Sequence, residues 1–135
     1  MTAEFEAAQG TTVWLLTPWM YEGVELSPQS VDRLILYQLP FDHPSHPVYG
    51  KRAERYQNGF MDYSFVRLKH RMFRLLRSFC EHRTESGEAI IADKRIHEKK
   101  YGRELMQYLG KFDQDGEDDK EDSSNDHGVQ MRMPV

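Results

Sequence analysis

Between residues 67 and 77 the chain reads Arg-Leu-Lys-His-Arg-Met-Phe-Arg-Leu-Leu-Arg. On a helical wheel Arg67, Arg71, Arg74 and Arg77 fall within about 120° of one another. Phe65, Leu68, Met72, Leu76 and Phe79 line the opposite side, and Val66, Phe73 and Cys80 widen it. One face is therefore built for burial and the other carries four guanidinium groups. Such groups grip phosphate or carboxylate oxygens through a rigid fork of donors. The simpler alternative is an amphipathic helix with a solvated basic face. Lys69 falls inside the apolar arc, where its stem must snorkel.

The charge distribution points the same way. The formal net charge is −4, yet residues 48 to 111 hold fifteen Lys or Arg against eight Asp or Glu, a net of +7. From Phe112 onward eight acidic residues face only Lys120 and Arg132. A basic body suited to a polyanion is thus followed by an acidic tail.

Other chemistries are less well supported. A single cysteine, Cys80, excludes an internal disulfide and a cysteine-cluster metal site within the chain. It lies on the apolar side of its helix and reads as a small buried hydrophobe. His43 and His46 stand three apart in a proline-rich loop, too few ligands for a metal, and no metal site is expected. No serine sits in a nucleophile elbow. The first ten residues do not resemble a signal peptide, and no segment approaches the roughly 18 apolar residues of a membrane span. A soluble, cytoplasmic protein is expected.

The elements that must position the arginines follow from local pattern. Residues 1–10 read as a frayed lead-in. Thr11 to Thr17 is a β-branched and aromatic run stopped by Pro18, the signal of a buried strand, with Trp14 in the core. Trp19 to Gln29 reads as a loop. Val31 to Leu39 is a second strand, with Tyr37 in the core, and a loop punctuated by Pro40, Pro44 and Pro47 follows. Ser45 is placed to cap a helix from about Pro47 to Gln57, and Asp62 to cap the arginine helix, which runs to about Arg83. Glu88 to Ala92 makes a third strand. A last helix spans about Ile96 to Leu109, with Gly110 at its C-cap, and 112–135 has the composition of a disordered acidic tail. Apolar strands separated by helices predict an α/β fold, a short parallel sheet covered on both faces. Three strands are few for such a sheet, so the domain reads as part of a larger one, with an exposed first strand that wants a neighbour.

In this order the motifs resemble the C-terminal segment of the second RecA-like domain in the DinG/XPD family of superfamily 2 DNA helicases, over about residues 10 to 110. Thr17-Pro18-Trp19-Met20-Tyr21-Glu22-Gly23-Val24-Glu25 looks like the family's motif V. Leu39-Pro40-Phe41 with Pro44 and Pro47 looks like its Leu-Pro-Phe loop, and Asp62-Tyr63-Ser64 like the entry to its next long helix. His70 to Arg77 sits where motif VI, Gln-x-x-Gly-Arg-x-x-Arg, would be. Ile90 to Arg95 and Lys100-Tyr101-Gly102-Arg103 look like the final strand and Tyr-Gly helix.

The resemblance implies a partial RecA-like domain, residues 11–111, working in an ATP-dependent DNA helicase with 5′ to 3′ polarity. It implies ATP with Mg2+ as cofactor, bound mainly by the N-terminal RecA-like half in the same or another chain, and single-stranded or forked DNA as partner. Arg74 and Arg77 match the two motif VI arginines, which stabilise charge on the transferred phosphoryl group. By the resemblance, Glu22, Gly23, Glu25 and His70 fall at nucleotide-coupling positions; the simpler alternative is that Gly23 only shapes a turn, with Glu22 solvated. Trp19 and Tyr21, with Arg67 and Arg71, are the expected nucleic-acid contacts, since stacking on single strands pairs aromatics with basic side chains.

The departures are specific. His70 replaces the motif's glutamine, Phe73 its glycine, and Glu25 the usual aspartate after Gly-Val. No Gly-x-x-x-x-Gly-Lys-Ser/Thr phosphate loop or Asp-Glu-x-His box is present. The family's iron–sulfur cysteines belong to the other half, so no cluster is expected here, and the chain alone is expected not to hydrolyse ATP. The competing expectation is a non-catalytic module that kept the fold and basic surface to bind nucleic acid or a partner.

Overall fold

The computed structural model describes residues 2–25, 27–81, 86–118 and 130–132, with the backbone alone at residue 28 and over 111–118 and 130–132. The arginine helix α4 is its axis. Helix α1 (Thr2–Ala7), α2 (Pro18–Glu22), strand β1 (Arg33–Leu36) and α3 (Pro47–Ala53) precede α4 (Phe65–Cys80). Strand β2 (Glu88–Ile91), α5 (Arg95–Glu98), α6 (Lys100–Asp118) and β3 (Gln130–Arg132) follow it.

Apolar spacing along α4 puts Phe65, Leu68, Met72, Leu75, Leu76 and Phe79 into the core. There they meet Leu36 and Leu39, Ala89 and Ile91 of β2, Ile96, and Leu105 and Leu109 of α6. Burying a side chain of this size stabilises the fold by about 1.5–3 kcal/mol, so this cluster fixes α4 against the sheet. β1 and β2 pair in parallel, Arg33 opposite Glu88 through Leu36 opposite Ile91. β3 adds in parallel on the far side of β2. The mixed α/β class and the parallel sheet agree with the sequence reading.

Several expectations do not hold. Residues 11–17 are not a strand. They run without a ladder partner among the described residues, and Leu15 is 88% exposed. A β-branched run needs a neighbouring edge to become a strand, and β1 does not take it up. Trp14 rests on Phe5 of α1, ring centroids 5.4 Å apart, rather than in the core. Among the described residues nothing covers the outer face of the sheet at β1: Ile35 and, just past the strand, Tyr37 are exposed. β2 instead alternates, with Ala89 and Ile91 turned inward.

The lead-in is helical over Thr2–Ala7, tied to the next loop by Glu6 Oε1, which accepts from Ser27 N at 2.8 Å and Ser30 Oγ at 3.1 Å. The region read as a loop from Trp19 starts as α2, capped by Thr17 Oγ1 accepting from Met20 N at 3.2 Å, with Pro18 in the first turn.

Helix α3 ends at Ala53, and His46 rather than Ser45 occupies its N-cap; Ser45 Oγ instead contacts His43 Nδ1 at 2.6 Å. Asp62 does not cap α4. A π-helical turn, Phe60–Ser64, with Gly59 at its N-cap, leads into it, and Asn58 Oδ1 just before accepts from Met61 N at 3.2 Å. The expected last helix is two, broken where Lys99 is extended. Gly102 then lets α6 begin directly on the Ile96 carbonyl, where a Cβ would come within 2.0 Å of the oxygen. Gly110 is no C-cap: α6 passes through it to Asp118. Of the acidic tail expected from Phe112, residues 119–129 and 133–135 lie outside the described residues.

Candidate functional site

Three chain segments meet on the outer side of α4: the α2 turn, the Leu39-Pro40-Phe41-Asp42 loop, and α4 itself. The loop is pinned from both ends. Asp93, just past β2, accepts from Leu39 N at 2.8 Å and from Arg95 N at 3.0 Å and Nε at 2.9 Å. Burial alone would raise the Asp93 carboxyl, but the Arg95 side-chain hydrogen bond and the two backbone N–H groups outweigh it and hold the group at about 2. The Arg95 guanidinium also lies 5.6 Å from the Phe41 ring centroid.

At the other end, Arg71 NH1 donates to Pro40 O at 2.8 Å and to Asp42 Oδ1 at 3.2 Å, and its NH2 donates to Asp42 Oδ1 at 3.2 Å. Arg67 Nε donates to Asp42 Oδ2. Burial works against the Asp42 carboxylate; the Arg67 hydrogen bond and the charges of Arg71 and Arg67 reverse this and keep it below the usual carboxylate range. The same pairing raises Arg67.

The arginines therefore divide. The side chains of Arg71 and Asp42 are 6% and 5% exposed, so Arg71 is a buried strut, not a member of the solvated face. The wheel placed it with the other three because periodicity gives direction but not what lies opposite, and here Asp42 and Pro40 close over it. Arg71, expected as a nucleic-acid contact, thus lies beneath Asp42 and Pro40. Arg67 is partly covered and committed to Asp42, with its guanidinium 4.6 Å from the Tyr49 ring centroid. Arg74 and Arg77 stay open, at 63% and 61% side-chain exposure. Arg77 pairs loosely with Glu81, at 3.9 Å. Lys69 does snorkel, reaching Glu104 Oε1 at 3.2 Å.

Glu22, at the end of α2, bridges the two classes. Its Oε2 lies 3.3 Å from Arg74 NH2 and its Oε1 lies 3.5 Å from Arg71 Nε. Gly23 closes that turn with an ordinary backbone conformation, its N–H donating to Met20 O at 3.2 Å. Trp19 is half exposed, with the Arg71 guanidinium 4.9 Å from its ring centroid. Tyr21 packs on the core edge, and Glu25 is exposed.

Two depressions flank Arg74. One, of about 370 Å³, is lined by Arg67, His70, Arg71, Phe73 and Arg74; the other, of about 140 Å³, by Tyr21, Glu22, Arg74, Leu75 and Ser78. Phe73 turns toward α6, its ring 6.3 Å from Tyr108, which leaves His70 and Arg74 accessible beside it. Such a surface suits an anion: an exposed fork of donors backed by a fixed positive charge. Among the described residues no group of three or more His, Cys, Asp or Glu is arranged to hold a metal ion, and no helix is long and apolar enough to cross a membrane.

Sequence reasoning missed Asp42 and Asp93. Asp42 lies 25 and 29 residues before its partners, with no local signal to link them. Asp93 was in view as part of an Asp-Lys-Arg run, and its spacing from Arg95 was the available clue.

The model of the helicase C-terminal domain matches residues 1–112, and the chain belongs to that family. It is also similar to the ATP-dependent DNA helicase DinG of Photobacterium profundum, 26% identical over 95 residues, which cover 67% of this chain and 14% of that protein. The chain thus corresponds to about one seventh of the relative's length. The match bears out the resemblance read from the order of the motifs. No solved structure matches significantly.

Proposed function

We propose that this chain is the ATP-coupling, DNA-contacting segment of a DinG-like DNA helicase, and that Arg74 and Arg77 reach the terminal phosphates of a triphosphate held mainly by a companion RecA-like half. The observation that carries this is the division of labour on α4. Arg67 and Arg71 are committed to Asp42, whereas Arg74 and Arg77 project into solvent three residues apart on a helix fixed by the core. That spacing lets both reach one anion.

These residues fit the arginine side of a nucleotide cleft and not its whole. The sequence has no phosphate loop, and among the described residues no cluster of three or more His, Cys, Asp or Glu could hold a metal ion. Bound between the two halves, ATP with Mg2+ supplies the phosphoryl chemistry. This chain's part is to offset charge that develops on the phosphoryl oxygens. A Cβ at Gly23 would meet only Met20 O, at 3.7 Å, so this turn is open to close approach by a ligand. Trp19 offers a half-exposed ring for stacking on a base of the DNA strand.

The test is complementation. With an N-terminal RecA-like half supplied, DNA-stimulated ATPase activity is expected, and Arg74→Ala or Arg77→Ala lowers kcat by about 100-fold or more with much less change in ATP affinity. Turnover that survives both substitutions refutes the assignment. Salt-sensitive binding of single-stranded DNA by the chain, with no ATPase activity in any complemented mixture, favours a non-catalytic binding module.

A further inference from the structure

Arg71 carries an unresolved demand. Its NH1 and NH2 are satisfied by Pro40 O and Asp42, but its buried Nε has no hydrogen-bond partner among the described residues. Glu22 Oε1 stands 3.5 Å away, while the same carboxylate's Oε2 lies 3.3 Å from the exposed Arg74. A buried N–H of a charged group left without an acceptor is costly, so the Glu22 carboxylate is drawn in two directions and serves neither donor fully.

Resting on the reading of Arg74 as a phosphate contact, we infer that Glu22 is a placeholder for that phosphate and a positioning residue for Arg74. With no anion present, Glu22 shares itself between the two guanidiniums and keeps Arg74 pre-aimed at the mouth of the cleft. When a phosphate oxygen takes the Arg74 fork, Glu22 is repelled by the like charge and moves the short distance onto Arg71 Nε–H. The exchange leaves no charge unpaired: Arg74 passes from carboxylate to phosphate, and Arg71 gains the bond it lacks. Because Glu22 ends α2, and Trp19 on the same short helix stacks over Arg71, the exchange also shifts the turn that carries Trp19.

Inorganic tripolyphosphate is the probe, titrated into the 15N-labelled full chain at low salt and followed through the arginine Nε–H resonances. In the wild type, saturation is expected to move the Arg71 Nε–H signal downfield as its bond to Glu22 shortens. Glu22→Gln removes the competing charge and is expected to tighten tripolyphosphate binding about two- to fivefold, the range of an exposed ion pair, and to abolish the Arg71 shift. Glu54→Gln, which removes the same charge from the exposed end of α3, controls for net charge and is expected to change affinity by less than about twofold. If Glu22→Gln behaves like Glu54→Gln, or if the Arg71 signal does not respond in the wild type, the placeholder role is overturned. In that case weakened binding in Arg74→Ala still preserves the phosphate-contact reading. Tripolyphosphate affinity unchanged in Arg74→Ala overturns that reading itself.

Discussion

Replacing Asp42 by asparagine keeps the side chain's size and removes its charge. Asp42 is 5% exposed and accepts from Arg67 and from two nitrogens of Arg71. In the variant, Arg71 keeps the Pro40 carbonyl at 2.8 Å and the slack contact to Glu22 at 3.5 Å, and meets a neutral amide oxygen in place of the carboxylate. Its guanidinium is left buried and largely unpaired, which costs about 3–5 kcal/mol in comparable sites. Arg67, about a third exposed, recovers hydration and adds little. Retained hydrogen bonding by the asparagine amide places the expected loss near the lower end, about 3 kcal/mol. With a urea slope of about 1.5 kcal/mol/M, the unfolding midpoint falls by about 2 M, and the slope itself is unchanged. Arg67→Ala is expected to cost less than about 1 kcal/mol in the same assay. An Asp42→Asn loss below about 1 kcal/mol, or equal losses in the two variants, refutes the claim that Arg71 is a buried strut held by this carboxylate.

Asp93 sits at about 2 in the folded chain against an ordinary 3.8, so its stabilisation, about 2 kcal/mol, is complete above about pH 4 and lost as pH falls toward 2. Asp93→Asn should flatten that part of the stability–pH curve, as read by thermal unfolding at stepped pH. Gly102→Ala forces a Cβ to within 2.0 Å of the Ile96 carbonyl oxygen and is expected to destabilise by about 2 kcal/mol, whereas Gly110→Ala, with nothing within 4 Å, should stabilise α6 by up to about 1 kcal/mol; equal effects in chemical denaturation would contradict the tight α5–α6 turn. In a complemented complex, Trp19→Ala should weaken single-stranded DNA binding by about 1–3 kcal/mol in fluorescence titration, and an unchanged affinity places Trp19 outside the strand path.

Short-range pattern determined a good deal here. The apolar spacing of Phe65 to Phe79 specified α4 and its buried side, because helix geometry converts spacing directly into a face. Ala89-Ile90-Ile91 specified β2, and the order of five motifs pointed to the helicase family that residues 1–112 match. Tertiary structure decided the rest. A β-branched run at 11–17 becomes a strand only beside an available edge, and Tyr37 is buried only if something covers that face of β1; neither condition is written in the local sequence. Above all, four arginines that look equivalent on a wheel separate into two held by Asp42 and two left open. That separation depends on a carboxylate on a distant loop, and the free energy of a charge is set by what the fold brings against it rather than by its neighbours along the chain.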